Sequence, residues 1–205
     1  MHVPPRDVDV WLPPGYPGKT KYAVLYMQDG QMLFDAGITW NKQEWRADET
    51  AARLMAEGKV RPFIIVGIHN GGPRRHVEYF PQKPFEALPD DFRRQLLGMN
   101  RNPQQVLFDG EVDSDAYLKF VVEELKPYID SHFSVYTGPE NTAVMGSSMG
   151  GLISMYAICE YPGVFGTAAC FSTHWPGIFE MKNNPIPDAM VRYFKTKIPD
   201  PIDHK

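Results

Sequence analysis

Apolar and polar residues along the chain keep two different periods, and the change between them marks out the elements. Val8, Val10 and Leu12 alternate with Asp7, Asp9 and Trp11, which predicts a strand with one buried face, stopped by Pro13-Pro14-Gly15. Residues 22–27 (YAVLYM) and 62–68 (PFIIVGI) are apolar throughout, the pattern of strands covered on both faces. Between them, Ala51, Leu54 and Met55 fall on one side of a helix predicted over 47–57, with Gly58 as its stop. Residues 69–112 carry Pro73, Pro81, Pro84, Pro89 and Pro103 and read as a long irregular insertion that lines a pocket. Ser114 is expected to cap a helix running to residue 128 that buries Phe120, Val121 and Leu125. A short strand over 143–145, a glycine-rich turn, a helix over 150–161 and a strand over 167–171 complete the pattern.

Strands alternating with helices predict an α/β protein, a three-layer α/β/α sandwich around a mostly parallel sheet. Residues 1–205 suffice for one sizeable domain and not for two. The last strand is expected to become a sheet edge with unpaired backbone groups, so a homo-oligomer joined through that edge is anticipated.

Composition narrows the partners. The chain is 43% hydrophobic and 22% charged, within the range of globular proteins. Its 13% aromatic content and 19 prolines point to aromatic-lined connections that wall a pocket for a small molecule. A net charge of −4 without any basic stripe argues against nucleic acid. Residues 142–159 lack charge but are broken by glycines and serines, so no membrane span is expected. The opening MHVPPRDVD lacks a charged-then-apolar leader, so the expectation is a cytoplasmic protein by default or one whose leader has been removed. Cys159 and Cys170 have no metal-ligand spacing and read as small buried thiols.

Residues 142–152 read TAVMGSSMGGL, and Gly146-Ser147-Ser148-Met149-Gly150 fits G-x-S-x-G between a strand and a helix. A serine at the apex of that turn is thrust out of the sheet. The residues two before and two after it must lack side chains, because strand and helix pass close together there. Ser148 has glycine at both positions and Ser147 does not, so Ser148 is the expected nucleophile. Met149 opens the helix, and its N–H faces the point where an oxyanion would form. The strand before residue 28 ends in Gln28-Asp29-Gly30-Gln31, where a tight turn at Gly30 would aim the Gln31 N–H across the same site.

Taken together, MQDGQMLFD, HNGGPRRHVEYFP, DAYLKFVVEELKPYID and VMGSSMGGLISMYA resemble the Putative esterase family of α/β-hydrolases, which includes feruloyl, acetylxylan and enterochelin esterases and S-formylglutathione hydrolases. The resemblance implies a serine hydrolase acting on small-molecule carboxylic esters through an acyl-enzyme, with no metal and no organic cofactor. It assigns the nucleophile to Ser148 and the oxyanion donors to Gln31 and Met149. Residues 75–78 look like the family's loop ahead of Tyr79, with an ion pair that pins the insertion as the plainer role.

In this fold the catalytic acid and base follow the nucleophile. The 205-residue chain leaves about 55 residues after Gly150, so the last strand–helix units are expected to be absent and no family acid or base can be matched. The N-terminus likewise reads as starting at the family's second strand. A catalytically impaired fragment or binding module of the same fold is therefore the alternative reading. His174, after the 167–171 strand, is the first substitute base to consider, with Trp175 beside it as a pocket wall; His69, ending the PFIIVGI strand, is the second. His76 and His132 read as surface-loop and helix-end residues. Asp203 and His204 are too close in sequence to face one another as a triad pair.

Overall fold

The computed structural model describes residues 1–180 and 182–199; Asp203 and His204 lie outside them. The main sheet is built from β1 (Val8–Trp11), β2 (Ala23–Gln28), β3 (Phe63–Ile68) and, beyond a small hairpin of β4 (Asn100–Asn102) and β5 (Gln105–Val106), β6 (Thr142–Ser147) and β7 (Thr167–Phe171). Its order is β1-β3-β2-β6-β7. The β2–β3, β2–β6 and β6–β7 pairs are parallel and β1 runs antiparallel on β3, so the mostly parallel α/β sheet is as expected. The helices are α1 (Ala47–Ala56), α2 (Arg75–Tyr79), α3 (Gln82–Glu86), α4 (Asp90–Leu97), α5 (Ser114–Lys119), α6 (Lys126–His132), α7 (Met149–Glu160) and α8 (Ile186–Lys197), with a π-helical stretch, Phe120–Leu125, joining α5 to α6.

The two faces of the sheet are covered unequally. On one, Val24, Tyr26, Ile64, Val66, Ile68 and Val144 pack with Tyr117, Leu118, Val121, Leu152, Ile153 and Tyr156 into the main core. On the other, Met27 and Ile65 pack with Leu33 and with Ala51 of α1. Beside α1, an open groove of about 440 Å³ runs over Leu25, Phe63 and Met145 to Phe171. None of the described helices is long and apolar enough to cross a membrane.

Residues 69–112 depart from the irregular reading: they form α2, α3, α4 and the β4–β5 hairpin. Pro81 and Pro89 directly precede α3 and α4, whereas Pro84 lies within α3 and Pro103 in the turn between β4 and β5. Val77, Tyr79, Phe80, Phe85, Leu88, Leu96, Leu107 and Phe108 of this stretch are buried, so it is as much core as connection. Ser114 is not the helix cap; Asp113 holds that position. The Ser114 hydroxyl instead accepts the N–H of Gln82, the first residue of α3 (2.9 Å), and so ties two helices together. The proline-rich tail also contains a helix, α8, with Pro187 in its first turn, where no N–H is needed.

His76 is a further correction. It is buried, with its ring edge-on to Phe108 at 4.6 Å, because α2 turns it inward with Val77 rather than leaving it on a loop. Burial, with the charge of Arg75 adding to it, pushes its pKa down to about 3. His132, by contrast, ends α6 and is exposed, as read.

Below about pH 6.5 the unfolded chain protonates His76, whereas the folded chain resists until about 3. The unfolded state thus binds more protons, so this residue's contribution is complete above pH 6.5 and is lost as pH falls, by up to ~1.4 kcal/mol per pH unit. Urea unfolding between pH 6.5 and 4.5 should show a shallower pH dependence in His76→Phe than in the parent chain. Equal slopes would contradict the buried neutral ring.

Candidate active site

At the carboxyl end of β6 the backbone turns sharply into α7 at Ser148, which holds φ 60° and ψ −119°. A non-glycine residue at positive φ of this kind costs on the order of 1–3 kcal/mol and persists only where its surroundings impose it. The imposing contact is backbone on backbone. A Cβ on Gly146 would lie 2.3 Å from the Gly150 carbonyl oxygen, and one on Gly150 would lie 3.2 Å from both Asp29 Oδ2 and Gln28 Cβ. Hydrogen bonds then fix the turn: Ser148 N–H donates to the Phe171 carbonyl (3.0 Å), and the Ser148 carbonyl accepts from Gly151 (3.1 Å) and His174 (3.2 Å). Behind it α7 is apolar almost all round and nearly wholly buried. The elbow therefore rests on a rigid support.

The turn after β2 meets the elbow from the opposite side. Its left-handed residue is Asp29 (φ 59°), not Gly30. Glycine at position 30 answers a different demand: a Cβ there would lie 2.5 Å from the Gly67 carbonyl carbon of β3. Gly30–Met32 then form a single 3-10 turn. The N–H groups of Gln31 and Met149 lie in the first turn of their helical segments, where no intrahelical acceptor exists, and neither has a backbone acceptor among the described residues. Gln31 and Ser148 line one cavity of about 510 Å³, together with Trp40, Trp45, Asn70, Arg75 and Arg101.

A buried polar network holds this turn. Asp29 accepts two hydrogen bonds from Arg75 (2.6 and 2.8 Å) and one from the Asn70 amide (2.7 Å), while its own N–H donates to the Tyr79 hydroxyl (3.3 Å). The guanidinium of Arg75 lies over the Tyr79 ring at 5.1 Å. Burial by itself would lower the Arg75 pKa, but the hydrogen bond and charge of Asp29 outweigh it and raise the pKa above its ordinary value. Glu78, three residues on, is fully buried against Arg6 (2.7 and 2.8 Å) and is approached by Arg74 (3.6 Å). Residues 75–78 thus pin the insertion to the β2 turn and to the N-terminal segment.

Residues 4–185 match the family model described as Putative esterase. The chain belongs to this family. Among its relatives, an uncharacterized Bacillus subtilis protein, YbbA, is 26% identical over 172 residues, covering 83% of this chain and 58% of its own. The endo-1,4-beta-xylanase/feruloyl esterase of Xylanibacter ruminicola is 27% identical over 173 residues, 78% of this chain and 18% of its own. In structure, a CE1 ferulic acid esterase from Anaeromyces mucronatus, in complex with ferulic acid, superposes with a TM-score of 0.53 at 26% identity, over 82% of this chain and 52% of that one. The fold is accordingly that of the α/β-hydrolase esterases. In each comparison the chain spans less than two thirds of the relative's own length.

Against this esterase frame the residues expected to supply a base are distributed unevenly. His174 is tied to the elbow through its backbone, and its pKa is lowered by burial and by the charge of Arg75. Its ring lies 6.1 Å from Phe179, and among the described residues no imidazole is hydrogen-bonded to the Ser148 hydroxyl. Trp175 turns away from the cavity and packs edge-on to Phe194 of α8 (5.9 Å). His69 bonds Asp9 (2.7 Å) and lines a separate cavity of about 230 Å³ with Arg6 and Glu78. Cys159 and Cys170 are free thiols whose pKa values are pushed up to about 11 by burial.

Sequence reasoning missed Trp40, Asn70 and Arg101 as cavity residues. Trp40 could have been suspected, being a large apolar residue in the polar stretch Gly37–Glu44. Arg101 carries no such signal, since only the placement of the β4–β5 hairpin brings it to the cavity.

Proposed function

We propose that the chain is a serine esterase that hydrolyses carboxylic esters through an acyl-enzyme on Ser148. The observation that carries this reading is the strained Ser148 at the head of α7, lining one cavity with Gln31. Ser148 Oγ attacks the ester carbonyl and gives up its proton. The resulting oxyanion is held by the N–H groups of Gln31 and Met149, which have no backbone acceptors of their own among the described residues. Collapse expels the alcohol, which takes the proton back. Water then attacks the acyl-enzyme, and the carboxylic acid leaves as Ser148 is restored. The proton acceptor is assigned to His174, whose backbone is anchored to Ser148 and whose lowered pKa keeps the ring neutral.

Aromatic acyl esters suit the cavity best, because Trp40 and Trp45 line it and Trp40 is 86% exposed toward solvent. Relatives named as feruloyl or ferulic acid esterases support that class. A second reading, a binding module that keeps the elbow without turnover, draws on the lack of a hydrogen bond between any described imidazole and Ser148 Oγ.

Labelling with a fluorophosphonate, read by intact mass, separates the two. The esterase reading expects one adduct per chain that disappears in Ser148→Ala and forms at least about 100-fold more slowly in His174→Ala. Folded protein that takes no label would leave the binding module. Labelling that survives Ser148→Ala would overturn both.

We further infer that two copies associate through β7. That strand pairs only with β6 among the described residues, and its last residue, Phe171, is 56% exposed. Light scattering at micromolar concentration should give a dimer mass. A monodisperse monomer across the concentration range would rule the association out.

A further inference from the structure

The cavity in front of Ser148 has an unbalanced charge. Its lining contains one carboxylate, Asp29, and two guanidinium groups, Arg75 and Arg101. Asp29 is bidentate with Arg75, so that pair is internally neutral. Among the described residues no other carboxylate lines the cavity and none is paired with Arg101, in a chain whose net charge is −4. The remaining polar lining, Gln31, Asn41, Asn70, Ser147 and Ser148, is uncharged.

Arg101 stands on a short, exposed hairpin. It lies in the middle of β4, at an irregularity in register between the Asn100–Val106 and Asn102–Gln105 pairings that join β4 to β5. The hairpin is rooted by Leu107, whose N–H donates to the Met99 carbonyl (2.8 Å) and whose side chain is buried in the main core with Leu96. The same cavity is lined by two indoles, Trp40 at 86% and Trp45 at 39% exposure. A flat apolar surface and a cation on the same cavity complement a ligand that is aromatic at one point and anionic at another.

We propose that this cavity selects aromatic esters that also carry a carboxylate, the ring lying against Trp40 and Trp45 and the carboxylate pairing with Arg101. The inference rests on the esterase reading for its chemistry, though not for the binding it asserts. Arg101 is a specificity residue. It takes no part in bond making, and its role is to choose which esters are held in front of Ser148.

The test uses the Ser148→Ala protein, so that nothing is consumed, and two ligands of the same shape: monomethyl terephthalate and its uncharged counterpart methyl 4-carbamoylbenzoate. Tryptophan fluorescence and calorimetry give both affinities. The carboxylate should bind at least about tenfold more tightly than the amide, a difference of about 1.4 kcal/mol, and the margin should shrink when salt is raised from 50 to 500 mM. Arg101→Gln should bring the two ligands within about twofold of each other, and Arg101→Lys should keep part of the preference. Trp40→Ala should weaken both ligands alike. Equal affinities in the Ser148→Ala background, a preference that survives Arg101→Gln, or no binding of either ligand would each overturn the proposal. Because these are binding measurements, failure of fluorophosphonate labelling would refute the esterase reading without touching this result, and the reverse also holds.

Discussion

Everything at the site depends on the passage of β6 against the start of α7 at a separation that admits no side chain. A Cβ at Gly146 would lie 2.3 Å from the Gly150 carbonyl oxygen, a contact no backbone adjustment of a few tenths of an ångström relieves. With strand and helix that close, the single residue between their ends must reverse the chain, and Ser148 does so at φ 60°. The strain is sustained by the parallel β6–β7 pairing on one side and the buried α7 on the other. A serine in a relaxed turn would be free to move. This one has its hydroxyl carried on a backbone that cannot.

The same close packing explains the surroundings. Gly30 lies against the backbone of β3, and Gly150 lies against Asp29 and Gln28, so the β2 turn and the elbow are wedged face to face. Asp29 stands at that junction. Its bidentate pair with Arg75 and its bond to Asn70 neutralise a buried charge that would otherwise be costly, and they draw the 69–112 insertion over the site. A separate pair, Arg6 with Glu78, ties the N-terminal segment to the same insertion. The cavity is thus walled by three distant pieces of chain, its lining holding the Asp29–Arg75 pair, a further cation and two indoles.

The architecture was legible where one physical requirement acts on neighbouring residues. Apolar runs marked β2 and β3, helical spacing with Gly58 marked α1, and the G-x-S-x-G spacing marked the elbow, because strand burial, helix periodicity and close approach are each local demands. Reading failed where the deciding partner is remote. His76 is buried because Phe108, 32 positions along, packs on it. Ser114 serves α3 rather than its own helix. Gly30 is required by β3 and not by its own turn. The prolines of 69–112 were read as breaking structure, whereas several of them start helices that are anchored by core contacts made elsewhere. Arg101 reached the cavity through a hairpin that local composition did not reveal.

The central claim is that this geometry presents Ser148 Oγ to a carbonyl whose oxygen falls between the Gln31 and Met149 N–H groups. A crystal structure of the chain trapped with phenylboronic acid addresses it directly, since the boron becomes tetrahedral on the attacking oxygen. The account predicts a covalent bond to Ser148 Oγ, with one boronate oxygen about 2.7–3.1 Å from both backbone nitrogens. Boron bound to another residue, or a Ser148 adduct whose oxygens all face solvent away from Gln31 and Met149, would contradict it.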